Sequence, residues 1–467
     1  MKTKKSLLTL LLASGFVLAS CSGDGTTSTS IPLPPLLETD IPVKIDSSLA
    51  SESKTYEFSF KYDDSYFLDN ANTFSPKLAM LSYGAAMANG THQRGDSFYG
   101  DAEFDDVTRF GYESEPTTTS LGYYIAHKSI QGVELLTASF KGLDYGAEWA
   151  NNFIIGKEGD HEGFYARAVE VYAELQKYID TYCGGHVDKI WLTGYSRGGA
   201  IANLVSSLIL RDNKIEIKGE DMFTYTFEAP ACVTEDKALE YANVHNIVNK
   251  NDIITHIPPL QYGLKRCGID HEIYASNYAT LMKQFDEQID VPEFKVIKGG
   301  EETAVGSDEA MRQLLLDMFF NQENPEEGAS ANTREDYCNN YQKGISESIG
   351  YVFALKPTTR KAMLAKIQSM DLYTEILPLF NDATGEALLN FFEPYLIQDE
   401  ISYDRDNLLE DCATIVKAVG YLVLRPLIMK YTFLVTNIDD TKTNLTRLIN
   451  MHYPESIYVL MANSFKN

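Results

Sequence analysis

A serine set among glycines, an aspartate after a later apolar run and a histidine near the end of the chain are the residues whose types and order could do nucleophilic chemistry. The serine is Ser196, in the stretch Val187 to Leu204, VDKIWLTGYSRGGAIANL. An apolar, β-branched run ending at Thr193 meets Gly194-Tyr195-Ser196-Arg197-Gly198-Gly199, and small residues follow from Ala200. That order predicts a strand, a sharp turn with Ser196 at its apex, and a helix. So tight a turn needs glycine around the serine, and it leaves the hydroxyl exposed above a parallel sheet. An ordinary strand-to-helix turn is the plainer reading of the same residues.

A serine hydroxyl attacks poorly until an imidazole takes its proton, and the imidazole needs a carboxylate to hold its tautomer. In sheets built around such an elbow the acid and then the histidine follow the serine in chain order. Asp252 lies after the run Val244 to Val248, and Glu228 holds the same position one run earlier, so both are candidate acids, with Asp252 preferred. Asp252 beside Asn251 could also simply cap a loop. Of the histidines beyond it, His256 is too close in chain to face the elbow independently, and His271 opens a different region. His452, in Met451-His452-Tyr453-Pro454-Glu455 before an apolar terminal run, is the preferred base.

The elements that must position these residues follow from periodicity. Tyr56, Phe58 and Phe60 alternate as a strand would, and Ser75-Pro76 opens a helix. Leu121 to His127 and Val133 to Phe140 read as a hairpin turning at Gln131-Gly132. A helix over Gly163 to Tyr182 leads to the elbow strand, and Phe223 to Phe227 and Val244 to Val248 are further strands. Strands alternating with helices predict a mostly parallel α/β sheet with its functional residues at the strand ends. After Cys267 the pattern changes to helical runs at Glu309 to Phe320, Thr358 to Gln368, Glu386 to Phe392 and Asn407 to Val435. The expected organisation is a leader over 1–20, a flexible tether over 21–54, an α/β core over 55–267, a helical insertion or cap over 268–440, and a return to the core over 441–467.

Forty basic against sixty-six acidic residues give a net charge of −26, which excludes nucleic acid or anionic lipid bound through the general surface field. The acidic cluster Asp101, Glu103, Asp105 and Asp106 reads first as a solvated loop face and second as a calcium site. No metal or organic cofactor is expected. Apart from Cys21, the cysteines at 183, 232, 267, 338 and 412 lack paired zinc-site spacing and read mainly as reduced core thiols.

Lys2, Lys4 and Lys5, the apolar run Leu7 to Leu18 and the close Leu18-Ala19-Ser20-Cys21 have the order of an export signal. The run is shorter than the ~20 residues of a membrane span. It resembles the lipobox of bacterial lipoproteins, which implies cleavage before Cys21, a lipid on its sulfur, and tethering at the outside of the cell membrane.

With these residues in place the chain resembles the class 3 lipases, and more closely the bacterial lipase-family proteins related to them. The resemblance rests on FKGLD at Phe140 to Asp144, HEGF at His161 to Phe164, TGYSRGGAIANL, YTFEAP at Tyr225 to Pro230, NIVNKNDIITHIPP at Asn246 to Pro259, and MHYPESIY from Met451. It implies an α/β-hydrolase fold with a mostly parallel central sheet; the large helical insertion expected before His452 lies outside the match. It implies a triad of Ser196, Asp252 and His452, with the backbone N–H groups of Leu143 and Arg197 as oxyanion donors. The family more often has His and Leu where this chain has Tyr195 and Arg197, and often Thr or Ser in place of Leu143. The implied activity is hydrolysis of carboxylic esters of lipids. A phospholipase, short-chain esterase or thioesterase would keep the same residues, and a catalytically silent surface lipoprotein is the alternative from another class. A lid could be Asp144 to Gly163 or part of the insertion.

Overall fold

The structure, a computed structural model, describes residues 33–46, 55–112, 116–143, 146–258, 262–275, 280–281, 283–284, 333–419 and 450–465. The chain divides into Met1–Pro35 and Leu36–Asn467, and every element below belongs to the second unit. The leader, Cys21, the run Glu309 to Phe320 and the part of the last long run beyond residue 419 lie outside the described residues.

The first two strands, β1 (Glu38–Asp46) and β2 (Thr55–Asp63), pair antiparallel, with Ile41 opposite Phe60. This corrects the expected tether over 21–54: Ile41, Val43 and Ile45 alternate with polar residues and are buried. Pro42, which has no N–H to donate, is tolerated on such a two-stranded ribbon. The helices α1 (Pro76–Ala88) and α2 (His92–Asp101) follow, the first capped by Ser75, whose side chain accepts from Leu78 N–H.

β3 (Asp105–Phe110), β4 (Tyr123–Ile130) and β5 (Val133–Phe140) are antiparallel neighbours. Gln131 and Gly132 both have positive φ, 52° and 90°, as a two-residue hairpin turn requires. After α3 (Glu162–Tyr182) comes β6 (Lys189–Tyr195), then α4 (Arg197–Asp212), β7 (Met222–Phe227), the short β8 (Val233–Thr234) and β9 (Val244–Asn249). The short β10 (Leu264–Lys265) pairs with β8, and β11 (Ile269–Ile273) joins the main sheet. That sheet has seven strands in the order β11-β9-β7-β6-β5-β4-β3, parallel from β5 to β11. β6, β7 and β9 are buried on both faces, and the polar residues they carry, among them Thr193, Thr224, Thr226, His245, Asn246 and Asn249, are buried with them. Because β11 pairs with β9, the sheet continues past residue 267, where the insertion was expected to begin.

One face of the sheet packs on α1, the β1–β2 ribbon and a C-terminal helix through Trp191, Tyr225, Phe227, Ile457 and Leu460. The other face packs on α3 and α4 through Leu175, Ile179, Ile201 and Val205. In the later part of the chain the helices α5 (Arg334–Asn340), α6 (Gln342–Ala354), α7 (Pro357–Ser369), α8 (Glu386–Gln398) and α9 (Arg405–Val419) are described. They have their own apolar cluster of Leu355, Met363, Leu389, Phe392, Leu396 and Leu408. The chain returns to the core at α10 (Pro454–Ser464). No described helix is long and apolar enough to cross a membrane. Cys183, Cys232, Cys267, Cys338 and Cys412 are free thiols.

Candidate active site

The elbow is built by close packing of backbone. Gly194, at the end of β6, lies so near the first turn of α4 that a Cβ there would fall 2.3 Å from the Gly198 carbonyl carbon. Ser196 itself has φ 52° and ψ −122°, a region L-residues avoid, and its N–H donates to Phe227 O at 2.7 Å. Strain of this kind costs about 1–3 kcal/mol and persists only where the surroundings enforce it. It projects the hydroxyl from the strand ends.

There Ser196 Oγ lies 2.9 Å from His452 Nε2, and His452 Nδ1 lies 2.6 Å from Asp252 Oδ2. The three residues are 256 and 200 positions apart along the chain. Asp252 is fully buried at the end of β9, and its Oδ1 accepts from Ile254 N–H at 2.8 Å. The loop-capping role and the histidine-facing role are thus filled by the two oxygens of one carboxylate. Burial alone would raise this carboxyl, but the charge and hydrogen bond of His452, a hydrogen bond from Glu228 and the Ile254 N–H hold it below the ordinary carboxylate range. With Nδ1 donating to Asp252, the imidazole presents Nε2 as an acceptor to the serine hydroxyl.

The turn carrying His452 is pinned through its carbonyls. Asn249 Nδ2 donates to Met451 O at 2.9 Å, Tyr83 OH to Pro454 O at 2.6 Å, and Tyr195 OH to His452 O. Tyr195 also lies alongside the imidazole, with ring centroids 5.4 Å apart. These three positioning residues are absent from the sequence-level site. Tyr195 and Asn249 end the two strands that deliver Ser196 and Asp252, and that placement was their only signal.

The other candidates fall elsewhere. His271 sits on β11, 3.0 Å from His245 and stacked on Phe74 at 4.0 Å. His256 lies in the turn capped by Asp252, with Nε2 3.5 Å from Lys250 O. Glu228 is at the site, beside Asp252 rather than in its place: Glu228, Asp252 and His452 each offer an oxygen or nitrogen within 4.8 Å of the others. Both ring nitrogens of His452 are already engaged by Ser196 and Asp252, so this group does not present a metal-ligand set. His161 of the HEGF stretch is buried at the start of α3 and stacked on Phe164 at 3.9 Å. Burial pushes its imidazole down to about 3.

Leu143 follows Gly142, where a Cβ would fall 1.7 Å from Tyr195 O, so this loop lies directly against the elbow. Arg197 opens α4, and its buried guanidinium donates to Ser120 O at 2.9 Å. Asp101, Glu103, Asp105 and Asp106 are exposed, and Asp106 pairs with His127 Nε2 at 3.2 Å. The other ring nitrogen of His127 meets Glu134, and Cys183 lies in the same group, its donor atoms within 4.8 Å and its thiol pushed up to about 12, mainly by burial. With both ring nitrogens engaged by carboxylates, this group does not present a metal-ligand set either.

The segment after the Gly142-Leu143 loop is held by the helical region. Gln342 Oε1 accepts from Ile155 N–H and Gly156 N–H at 2.8 and 3.0 Å, Ser346 Oγ donates to Ala150 O at 2.9 Å, and Trp149 stacks on Phe353 at 5.4 Å. A mainly apolar cavity of about 760 Å³ opens between Ala147, Ile154, Ser346, Gly350, Tyr351 and Ile401.

Residues 129–262 match the family lipase (class 3). Among solved structures, a triacylglycerol lipase described as having a serine protease triad at its catalytic centre is 19% identical, with 43% of this chain and 82% of that one covered and a TM-score of 0.34. The Rhizomucor miehei triacylglyceride lipase is 18% identical over 43% of this chain and 82% of that one, with a TM-score of 0.32. The lipase of Rhizopus microsporus var. chinensis is 18% identical over 43% and 74%, again at 0.32. No curated protein matches the sequence. The family match and the mostly parallel seven-stranded sheet make the core an α/β-hydrolase.

Proposed function

We propose that this carboxylic ester hydrolase with a class 3 lipase core cleaves acyl esters of lipids by way of Ser196, His452 and Asp252. The observation that supports the reading is the unbroken line of hydrogen-bond contacts from the serine hydroxyl through the imidazole to a buried carboxylate. Ser196 Oγ attacks the ester carbonyl as His452 Nε2 takes its proton, and Asp252 stabilises the imidazolium that forms. His452 then gives the proton to the leaving alcohol, which departs and leaves an acyl-serine. Water attacks that ester with His452 again as base, releasing the acid and restoring the hydroxyl. The N–H groups of Leu143 and Arg197 are the proposed donors to the tetrahedral oxyanion, each worth about 3–4 kcal/mol in such a site.

In the same reading the chain is exported and held at the cell membrane by a lipid on Cys21, so that its substrate is met at or near a lipid surface.

The test is fluorophosphonate labelling of the full chain beside Ser196→Ala and His452→Ala, read by intact mass. One adduct on the wild type that is absent from both variants supports the proposal. No adduct on a folded wild type, or one indifferent to His452→Ala, overturns it.

A further inference from the structure

Resting on the serine-hydrolase reading above, we propose that Glu228 is a positioning acid of the same site, a neutral carboxyl whose O–H donates to Asp252 and holds that carboxylate against His452. Glu228 has φ 51°, in the left-handed region, where a glycine would sit without strain. A long charged-type side chain at such a place, fully buried, is costly in conformation and in desolvation. Its surroundings account for one oxygen only. Oε1 accepts from Asn249 N–H at 3.0 Å, whereas Oε2 is buried and receives no donor from any described residue.

The neighbour is Asp252, within the group of atoms 4.8 Å apart that also includes His452. Two carboxylates this close and buried cannot both be ionised. The donors decide which one keeps the proton. Asp252 faces the His452 ring N–H and the Ile254 N–H, so the charge belongs on Asp252. Glu228 has the single Asn249 N–H, and a proton on Oε2 turns its undonated oxygen into a donor with an acceptor beside it. The other groups around it leave this assignment in place. The Arg266 guanidinium favours ionisation but is paired with Asp270 and with the carbonyls of Ala229 and Thr255. Tyr83 and Tyr195 are held neutral by burial, and Glu455 adds further negative charge near the two phenols. Burial first, then the Asp252 charge and hydrogen bond, push the Glu228 carboxyl well above its ordinary range despite the Asn249 N–H and Arg266.

Asp252 is then the acceptor for three donors, and Asn249 joins both ends of the device. Its N–H steadies Glu228, and its side chain holds the carbonyl of Met451, next to His452.

The experiment compares wild type, Glu228→Gln and Glu228→Gly in the full chain. Gln keeps a neutral donor of the same shape. Gly suits the backbone conformation but leaves a cavity and the Asn249 N–H unpaired, so a thermal melt of each variant accompanies the kinetics and Gln carries the comparison where Gly does not fold. With p-nitrophenyl butyrate, Gln should stay within about threefold of wild-type kcat near neutrality, while Gly should lose roughly ten- to a hundredfold in kcat at unchanged KM, the range for a hydrogen bond to a charged group. Wild type should lose activity at alkaline pH as Glu228 ionises, and Gln should not. Infrared difference spectra of wild type against Glu228→Gln, which do not depend on activity, should show the carbonyl stretch of a protonated carboxyl at neutral pH. Absence of that band, a Gln variant as impaired as Gly, or a fully active Gly variant overturns the proposal. Failure of the wild type to label with fluorophosphonate would instead sink the hydrolase reading, and the infrared band would still decide where the proton is.

Discussion

The phenol of Tyr195 donates to the backbone carbonyl of His452, so the residue before Ser196 holds the residue proposed to deprotonate that serine, 257 positions later. Ser196 and His452 are thereby both referenced to the end of β6. Tyr195→Phe should lower kcat by roughly tenfold with KM little changed, because a partly buried carbonyl left without its donor costs about 1 kcal/mol and the imidazole loses its reference. Steady-state kinetics with a short soluble ester, beside a thermal melt, decide this. An unchanged kcat would show that Asn249 and Tyr83 suffice to place the turn.

Asp252→Asn keeps an acceptor for Ile254 N–H, so the loop after β9 should retain its cap and the protein its fold. The amide cannot hold the imidazole with Nε2 as acceptor, and kcat should fall roughly 10³- to 10⁴-fold. A variant that still hydrolyses esters within tenfold of wild type would remove Asp252 from the proposed mechanism.

Acid should unfold this protein partly through His161. Its imidazole titrates at about 3 in the folded state, because it is buried, against an ordinary 6.5. As pH falls below that ordinary value the unfolded chain takes up a proton that the folded chain refuses, so stability is lost progressively down to about 3. The limiting slope is about 1.4 kcal/mol per pH unit for one such group. His245, pushed down to about 4 by burial and by the nearby His271, adds a second contribution of the same sign. His161→Phe retains an aromatic ring against Phe164 and removes the proton. Denaturation midpoints from about pH 6 to about pH 4 should fall less steeply in that variant, and an identical slope would refute the assignment.

The β1–β2 ribbon is tied to the sheet by a buried ion pair, Lys128 Nζ to Asp64 Oδ1 at 2.9 Å, with Tyr62 OH also donating to Asp64 at 2.9 Å. Lys128→Met leaves that carboxylate buried without its cation and should cost about 3–5 kcal/mol by chemical denaturation. Lys61→Met, which breaks an exposed pair with Glu38, should leave the midpoint unchanged. Equal effects would mean that the ribbon is not part of the cooperative unit.

The local parts of this protein were legible from the amino-acid order alone. The elbow needs only neighbours in sequence: an apolar strand, glycines where backbone meets backbone, and small residues to start α4. The order of serine, acid and histidine is read directly from the chain, and the hairpin at Gln131-Gly132 and the strands alternating with helices follow from turn chemistry and periodicity. The ribbon strand Glu38–Asp46 was hidden because Pro, Asp and Thr around Ile41, Val43 and Ile45 have the composition of a linker, and the alternation gains meaning only when β2 supplies the partner. Likewise Glu228 and Asp252 were rivals for one role in the sequence, since both end a strand before a loop. Only the side-by-side placement of β7 and β9 makes them a buried pair, with different donors around each carboxyl. The grip of Tyr83, Tyr195 and Asn249 on the His452 turn is likewise decided by tertiary packing. Hydrogen bonds between residues up to 371 positions apart depend on which strand ends the sheet brings together, and no local pattern encodes that.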